Sequence, residues 1–426
     1  MDILEFGSTG PDVELLQLAL SRAGYDAGEI DGFFGMRTQA ALISFQDHYA
    51  LEPDGVAGGL SWRELTPYIV GYVTVLIQQG DTFYSLAGIY NTDVEAIQTA
   101  NPTADAENLV VGAELIIPLG FSVVPTEVRY TSKLMELIVR GLVRRYPFIR
   151  SGSIGKSVMG RPLYALEIGA GETPVGYNAS HHANEWITTP VVMKFLENYA
   201  FAYARGRNIF DTPARELYEQ ATLSVVPMVN PDGVDLVSGS IVPGETRFRQ
   251  AQAMAAQYPN IPFPSGWKAN INGVDLNLGY PAGWEMAREI KFAQGFTVPG
   301  PRDYVGEGPL SEPENRAMYE WTQQKDFALT LSYHTQGQVI FWRFENYMPE
   351  NAHAIGQAFS AVSGYALEDT PPESSYAGYR DWFIQTFNRP GYTIEAGLGE
   401  NPLPLSQFDE IYNDNEGILT LGIKLA

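Results

Sequence analysis

The chain has 426 residues, of which 45% are hydrophobic, and its 50 acidic and 27 basic side chains give a formal net charge of −23. This length accommodates two or three domains, and the negative charge argues against a nucleic-acid backbone or an anionic membrane surface as the partner. The absence of cysteine excludes disulfides and thiolate metal sites, so any zinc ion would need histidine and carboxylate ligands.

The first ten residues, MDILEFGSTG, lack both the basic and the apolar segment of a secretory signal. No later stretch approaches the roughly 18–20 consecutive apolar residues of a membrane span. We therefore expect a soluble chain with no classical signal peptide and no membrane partner. A signal that had been removed, or a non-classical export route, would leave the same sequence.

Residues 1–68 are predicted to form a small helical domain. The stretch DVELLQLALSRAGY spaces its apolar residues as one face of a helix and stops at Gly24, and MRTQAALISFQDHY repeats this pattern after the loop DGFFG. The segment resembles the peptidoglycan-binding domain of cell-wall hydrolases. The residues that carry the resemblance are Gly10, Val13, Leu16, Gln17, Gly24, Tyr25, Asp31, Gly32, Phe34, Gly35, Thr38, Ala41, Phe45, Gln46, Asp54, Gly55 and Trp62.

Residues 71–119 are predicted to form a second small module with the order strand, helix, helix, strand. We expect Asp81 to cap its first helix and either Thr92 or Asp93 to cap its second. The elements GDTFYSLA, ANP and VGAELIIP resemble a LysM domain along its full length. The resemblance implies a glycan ligand that contains N-acetylglucosamine, and a generic small α/β module is the alternative interpretation.

Residues 120–426 are predicted to form the third and largest domain, and residues 120–130 serve as its linker because they carry Pro125 and no helical period. The rest of this segment alternates short apolar runs with amphipathic stretches. That alternation predicts an α/β fold with a mixed, largely parallel sheet flanked by helices.

Four strand-like runs of this domain lead into polar, reactive residues, which are His182, Asn230, His334 and Glu395. Ligands collect at the carboxyl ends of strands in open α/β sheets, so we expect these residues to converge on one crevice.

A zinc site is one interpretation of this pattern. Catalytic zinc takes three protein ligands, and neutral imidazole with carboxylate is a common set. His182 and Glu185 are three residues apart, and His334 would arrive from a distant strand. Spacing alone leaves a structural, hydrogen-bonded histidine as the alternative interpretation. Of the adjacent histidines, His182 has the carboxylate three residues on, whereas His181 has Asn184 there.

A series of motifs favours the zinc site over the structural histidine, because the motifs occur in the order typical of one family. In chain order they are GKSVMGRPLYALEIG, HHANEWITTP, VPMVNPDGVD, GWKANINGVDLNLGYPAGW, GPLSEPENRAMYEW, SYHTQG, GYRDWF and YTIEAG. From about residue 130 to the end, the chain resembles the zinc carboxypeptidases of the carboxypeptidase A type. With two wall-binding modules in front, it resembles more narrowly the bacterial γ-D-glutamyl-meso-diaminopimelate peptidases.

The resemblance implies a role for each matching position. His182, Glu185 and His334 match the ligands of one zinc ion per chain. Glu395 matches the general base that takes a proton from the attacking water and returns it to the leaving amine. Asn277 matches a substrate-binding amide, and Asp275 beside it is expected to be structural.

At two positions the chain lacks an arginine that the family usually carries. Lys268 stands where an arginine usually polarises the scissile carbonyl, so we expect this role to pass to an ammonium group, with a surface lysine as the alternative. Leu278 stands where an arginine usually binds the free carboxylate of the substrate, and leucine cannot pair with a charge. The replacement anchor stays open among three candidates, Arg247, Arg249 and Arg380.

The mobile tyrosine of the family has no clean match. Tyr376 and Tyr379 lie at shifted spacing in PPESSYAGYRDWF, and we select Tyr376 as a substrate-binding residue.

The leading hypothesis is therefore a zinc peptidase that hydrolyses the γ-D-glutamyl to meso-diaminopimelate bond of peptidoglycan stem peptides. Its expected partners are peptidoglycan glycan strands and stem peptides, and its oligomeric state is not set by the sequence. The alternatives are a murein carboxypeptidase that removes a terminal D-residue and an inactive wall- or spore-coat-binding protein. We expect a cell-wall or spore association, although the missing signal also fits a cytoplasmic or forespore location.

Overall fold

The structure is a computed structural model that describes residues 2–426. Its contacts separate two compact units, one formed by the chain up to Arg129 with Lys133–Arg150, and the other by Tyr130–Ser132 with Ser151–Ala426. Within the described residues, no helix combines the length and the apolar character needed to cross a bilayer. The predicted domain boundaries, 1–68, 71–119 and 120–426 with a linker at 120–130, stay predictions.

The first unit opens with four helices, α1 (Pro11–Arg22), α2 (Met36–His48), α3 (Gly59–Leu65) and α4 (Pro67–Val70). Pro11 stands in the first turn of α1, where its missing N–H has no partner to lose. Leu16, Phe45 and Trp62 are buried between these helices. The predicted small helical domain is confirmed.

Two glutamines fold the loops of this helical module in the same way. The Gln17 carbonyl oxygen accepts from the backbone N–H groups of Asp31 and Gly32, at 3.1 and 3.0 Å. The Gln46 carbonyl oxygen accepts from the Gly55 N–H at 2.9 Å. Each buried amide therefore replaces the backbone partners that its loop lacks.

The LysM-like module has the predicted βααβ order, β1 (Tyr72–Leu76), α5 (Phe83–Ile89), α6 (Val94–Ala100) and β2 (Glu114–Pro118). The two strands pair antiparallel. Asp93 caps α6 by accepting from the Ala96 N–H at 2.8 Å. The Asp81 cap was wrong by one residue, because Thr82 caps α5 and Asp81 instead accepts from the Gln78 N–H at 2.7 Å.

A further helix, α7 (Ser132–Arg145), contributes most of its length to the first unit. The Lys133 ammonium donates to Asp12 at 2.7 Å. A Cβ atom at Gly141 would lie 2.3 Å from the Val70 carbonyl oxygen, so only glycine permits this approach. Helix α7 is thus packed against the helical module.

The second unit is built on an eight-stranded sheet within the described residues, and its strand order is β11-β10-β12-β9-β5-β8-β4-β3. The central strands β12, β9, β5 and β8 run parallel, and β10 and β4 pair antiparallel on either side of them. The strands are β3 (Arg150–Lys156), β4 (Pro162–Gly169), β5 (Thr173–Ala179), β8 (Ala221–Val226), β9 (Leu329–His334), β10 (Val339–Phe341), β11 (Ala366–Glu368) and β12 (Gly391–Glu395), with a separate short pair β6 (Asn208–Ile209) and β7 (Thr212–Pro213).

Helices flank this sheet, as the sequence pattern predicted. Helices α8 and α16 pack against its central strands, and α15 packs against β9 and β12. The helices are α8 (Thr188–Ala204), α9 (Ala214–Gln220), α10 (Pro231–Ser238), α11 (Thr246–Ala255), α12 (Trp284–Ala293), α13 (Pro313–Lys325), α14 (Ala352–Ser363), α15 (Tyr379–Phe387) and α16 (Phe408–Lys424). The predicted α/β class with a mixed, largely parallel sheet is confirmed.

Candidate metal centre

Three residues predicted as metal ligands come together at the carboxyl end of the parallel strands. One ligand atom from each of His182, Glu185 and His334 lies within 4.8 Å of the others, and all three residues are buried. The Nδ1 atoms of His182 and His334 are 3.2 Å apart. Each Nδ1 also lies 2.9 Å from an oxygen of the Glu185 carboxylate.

Local backbone structure brings His182 and Glu185 to the same point. Strand β5 ends at Ala179, and Ser180 takes a left-handed conformation with φ of 52°. A short 3₁₀ turn, Ala183–Glu185, then leads to α8, and the Ala183 N–H donates to the Lys268 carbonyl at 3.0 Å. This sharp turn points two residues that are three apart at one centre.

The donor set fits a zinc ion. His182 Nε2 lies 3.1 Å from an oxygen of Asp275, and a proton on Nε2 leaves Nδ1 with a lone pair. The Nδ1 atoms of His182 and His334 then face each other beside the Glu185 carboxylate, an arrangement that one bound cation satisfies. His182, Glu185 and His334 would hold this ion.

The carboxylates around His182 favour its protonated imidazole when no metal ion is bound. Burial opposes the charged imidazole, but the carboxylate of Glu185 and then that of Asp275 outweigh burial and raise the pKa of His182 to about 9. A metal ion that binds Nδ1 must displace this proton. Metal uptake is therefore expected to fall as the pH falls.

Asp275 is held from several sides. Its backbone N–H donates to the Tyr304 carbonyl at 2.8 Å, and its two carboxylate oxygens each accept a backbone N–H, from Asn277 and from Asp303, both at 3.2 Å. This arrangement agrees with the expected structural role of Asp275, because it fixes the ring of His182.

His181 lies behind the centre and is fully buried. Its ring stacks on that of His334 with centroids 5.8 Å apart, and its Nε2 lies 3.1 Å from the Tyr280 hydroxyl. Burial, with a smaller contribution from His334, holds the pKa of His181 well below its usual value. His181 therefore supports a ligand as a neutral ring.

An open pocket with about 760 Å³ of empty space begins at the metal centre. Its walls carry four cations and four carboxylates, the latter without Glu185. The lining residues are His182, Lys268, Asp275, Asn277, Leu278, Lys291, Arg302, Asp303, Phe341, Thr370, Ser374, Gly378, Arg380, Asp381, Thr393 and Glu395.

Glu395 and Lys268 both line this pocket beside the metal centre. Burial, with a contribution from the Glu185 charge, raises the pKa of the Glu395 carboxyl. The Lys268 ammonium lies 3.2 Å from Glu185 and keeps a raised pKa because that carboxylate outweighs the effect of burial. One group can accept a proton, and the other can stabilise a developing negative charge.

Asn277 and Leu278 lie side by side in the wall. The Asn277 carbonyl oxygen accepts from the Tyr379 N–H at 3.0 Å, and its amide nitrogen has no hydrogen bond to the described residues. That nitrogen is a donor available to a ligand. Leu278 is buried against an apolar cluster with Trp284 and Val305, so this position presents hydrocarbon where the family usually presents a guanidinium.

The three candidate anchor arginines lie in different places. Arg380 lines the pocket, is buried and pairs with Asp381, and its Nη1 has no hydrogen-bond partner in the described chain. Arg247 and Arg249 belong to α11, where they bond to Gln250 and to the Gly244 carbonyl, outside the pocket lining.

Tyr376 lies outside the pocket lining as well. Its ring packs edge-on against Phe344 with centroids 6.1 Å apart, and a Cβ atom on Gly283 would approach it to 2.6 Å. Tyr379 is fully buried, and its hydroxyl lies 2.8 Å from Thr322. Asn230, which follows β8, is buried and binds the carbonyls of His181 and Ala269 from behind the site.

Sequence reasoning missed Asp381, which directly follows Arg380, and three further charged residues of the pocket, namely Lys291, Arg302 and Asp303. Their signal was weak, because Lys291 occurs in an amphipathic helix and the other two occur in the irregular segment GPRDYVG. Only the fold shows that this segment runs beside Lys268, whose N–H donates to the Pro301 carbonyl at 2.7 Å.

Comparison with known families matches three regions of the chain. The zinc carboxypeptidase profile matches residues 135–416, the putative peptidoglycan binding domain matches residues 9–65, and the LysM domain matches residues 75–118. The matched regions follow the order of the predicted modules.

Two relatives and one solved structure extend these matches. Gamma-D-glutamyl-L-diamino acid endopeptidase 1 of Lysinibacillus sphaericus is 46% identical over 296 residues, which cover 70% of this chain and 72% of the relative. The uncharacterized protein YqgT of Bacillus subtilis (strain 168) is 35% identical over 376 residues, which cover 82% of this chain and 98% of the relative. The crystal structure of thrombin activatable fibrinolysis inhibitor shares the fold with a TM-score of 0.54 at 15% identity, over 83% of this chain and 98% of that one.

Proposed function

The chain belongs to the zinc carboxypeptidase family, and from this premise we propose that it hydrolyses the amide bond between γ-D-glutamate and meso-diaminopimelate in peptidoglycan stem peptides. The enzyme class is that of a zinc metallopeptidase. The proposed specificity rests on two observations. The chain is 46% identical to an endopeptidase named for γ-D-glutamyl-L-diamino acid bonds, and the pocket wall carries a positive and a negative side chain next to each other.

The observation that carries the proposal is the buried pair of Arg380 and Asp381 in the pocket wall. The side chain of diaminopimelate ends in an ammonium and a carboxylate on the same carbon. A guanidinium with an unpartnered nitrogen beside a carboxylate complements such an end, because each charge of the ligand meets its opposite. Leu278, in contrast, offers no charge to the terminal carboxylate of an ordinary carboxypeptidase substrate.

The residues of the chain divide the chemistry among them. Zinc, when bound by His182, Glu185 and His334, supplies a Lewis acid that makes water acidic enough to lose a proton near neutral pH. Glu395 accepts that proton and delivers it to the amine nitrogen of diaminopimelate as the amide bond breaks. Lys268 stabilises the negative charge that develops on the γ-carbonyl oxygen.

Asn277 and Arg380 position the substrate in this proposal. The amide nitrogen of Asn277 donates to the peptide, and Arg380 binds the carboxylate at the far end of diaminopimelate. Arg247, Arg249 and Tyr376, which lie outside the pocket lining, have no part in it.

The N-terminal modules are proposed to hold the enzyme on its polymer. Two modules that bind the same strand raise the local concentration of the catalytic domain without adding chemistry. Cell-wall association follows from this role, and spore peptidoglycan is the narrower location that we propose.

The test is a product map on defined stem peptides. We expect zinc-loaded protein to release free meso-diaminopimelate from L-Ala-γ-D-Glu-meso-diaminopimelate, as followed by mass spectrometry. A tetrapeptide that ends in D-alanine is the control substrate. Release of that alanine alone, with the γ-glutamyl bond left intact, would show a murein carboxypeptidase and refute the proposal.

A further inference from the structure

The proposed chemistry leaves two of the four pocket cations without a task, and of these Lys291 is paired with Asp303 while Arg302 keeps free terminal nitrogens within the described residues. The backbone N–H groups of Lys268 and Ala269 both donate to the carbonyl of Pro301, at 2.7 and 3.0 Å. The backbone segment that carries Arg302 is therefore hydrogen-bonded to the segment that carries Lys268. Both side chains line the pocket with His182 and Glu395.

The structure holds the Arg302 guanidinium by one nitrogen. Its Nε donates to Asp303 Oδ2 at 2.6 Å, and the other oxygen of Asp303 pairs with the Lys291 ammonium at 2.7 Å. The Asp303 N–H donates to Asp275 at 3.2 Å, so this carboxylate is fixed to the support of the metal centre. The two terminal nitrogens of Arg302 make no hydrogen bond to the described residues.

The guanidinium of Arg302 thus has the form of a receptor for an anion. Its side chain is 42% exposed, whereas its partner Asp303 is 12% exposed and is shared with a second cation. Arginine binds carboxylate through two parallel N–H groups, and the terminal pair is the one left over here. The N–H of the next residue, Asp303, donates to Asp275, whose carboxylate lies 3.1 Å from His182, so this backbone runs beside the metal centre.

The substrate class offers a carboxylate near the metal centre. In a γ-linked glutamyl residue, the scissile carbonyl belongs to the side chain, and the α-carboxylate stays free three carbons away on the acyl side. In the D-isoglutamine form of the same peptide, this carboxylate is a neutral amide, which cannot form an ion pair with a guanidinium. Lys268, the neighbour of Arg302, is the residue proposed to contact the scissile carbonyl.

We propose that Arg302 binds the free α-carboxylate of the γ-linked D-glutamyl residue and so selects substrates that keep this carboxylate over their D-isoglutamine form. The inference rests on the proposed function, and it assigns the acyl side of the substrate to Arg302 and the diamino acid side to Arg380. Lys291 and Asp303 are positioning residues in this arrangement, because they hold the guanidinium without contacting the peptide.

The experiment compares two substrates that differ at one group. L-Ala-γ-D-Glu-meso-diaminopimelate carries the α-carboxylate, and the D-isoglutamine analogue carries a neutral amide of nearly the same shape. We expect the wild-type full chain to prefer the carboxylate by roughly 10- to 100-fold in kcat/KM, the range of a charged hydrogen-bonded pair. The same preference is expected in the Kd values measured with Glu395→Gln, which binds without turnover.

The Arg302→Gln variant should bring this ratio close to one, mainly by loss of activity on the carboxylate substrate. Arg302→Lys keeps the charge but loses the paired donors, so an intermediate ratio is expected. Arg215→Gln is the matched control, because Arg215 is 77% exposed on α9 and pairs there with Glu219. Zinc content and the melting temperature verify that each variant is folded.

Three outcomes would count against the inference. An unchanged ratio in Arg302→Gln overturns it, including one that results from an equal loss on both substrates. A third substrate carries an amide in place of the α-carboxylate of diaminopimelate. If Arg302→Gln has no effect on that substrate, Arg302 would bind the other side of the scissile bond. If the wild type cleaves neither substrate, the proposed function itself fails, and the inference falls with it.

Discussion

Glu395 lies directly opposite His334 in the parallel pairing of β12 and β9. Neighbouring strands are about 4.8 Å apart, so the proposed base starts one strand away from a metal ligand. Burial raises the pKa of Glu395, and a carboxylate of raised pKa is a stronger proton acceptor. The register of the two strands therefore sets the position of this group, and burial sets its basicity.

Replacing Glu395 by glutamine should stop turnover and leave the metal in place. The amide cannot accept a proton, and we expect kcat to fall by about 10²- to 10⁴-fold. Metal analysis should still find one zinc per chain, because Glu395 is not a ligand. Glu400→Gln is the control, since Glu400 is exposed on the following loop. Retained activity in Glu395→Gln would refute the assigned base.

Alanine variants of the two adjacent histidines should differ in zinc content. His182→Ala removes a ligand, so we expect purified protein with well under one zinc per chain. His181→Ala leaves all three ligands but removes a buried ring that stacks on His334, so its zinc content should stay near one while its melting temperature falls. Equal zinc loss in both variants would contradict the assignment.

Arg380→Gln should weaken the reaction on the diaminopimelate peptide by roughly 10- to 100-fold in kcat/KM, because a charged hydrogen-bonded pair is lost. The effect should be much smaller on the matching L-lysine peptide, whose side chain lacks the second carboxylate. Arg215→Gln, far out on the surface of α9, should change neither rate. Equal losses on the two peptides would argue for a purely structural Arg380.

Glu314 should make stability depend on pH. Burial is the main cause that raises its pKa from 4.5 to about 7, although the Val158 N–H donates to it at 2.9 Å. The folded state therefore binds more protons than the unfolded state between these values. The resulting stabilisation is complete below pH 4.5 and is lost as the pH rises through 7. It amounts to about 3 kcal/mol at most.

Glu314→Gln removes that titration, so its urea unfolding midpoint should vary less between pH 5 and 8 than that of the wild type. Glu320→Gln, exposed on the same helix, should keep the wild-type pH profile. A Glu314→Gln profile that parallels the wild type would show that another group is responsible.

Three of the predicted site residues, two metal ligands and the proposed base, end a strand or follow one closely. His334 closes β9, Glu395 closes β12, and His182 comes three residues after β5. Parallel strands bring such positions to one edge of the sheet. The sheet class could also be predicted from the sequence, because few fold classes other than α/β alternate short apolar runs with amphipathic stretches.

The substrate pocket was less readable. Arg302 and Asp303 occur in a segment without periodicity, and their position depends on backbone bonds to a stretch more than thirty residues earlier in the sequence. The choice of Arg380 over Arg247 and Arg249 likewise depends on which side chain faces the cavity. Charge and spacing do not encode that orientation.

The packing of helix α7 limits how the modules of this protein could be exchanged during evolution. The zinc carboxypeptidase profile begins within it, at residue 135, yet Lys133 and Gly141 pack it against the helical module through Asp12 and Val70. A gene fragment cut at the profile border would separate an amphipathic helix from its partner. Recombination that exchanged the binding modules would thus meet a structural barrier here, and the modules and this helix are expected to be inherited together.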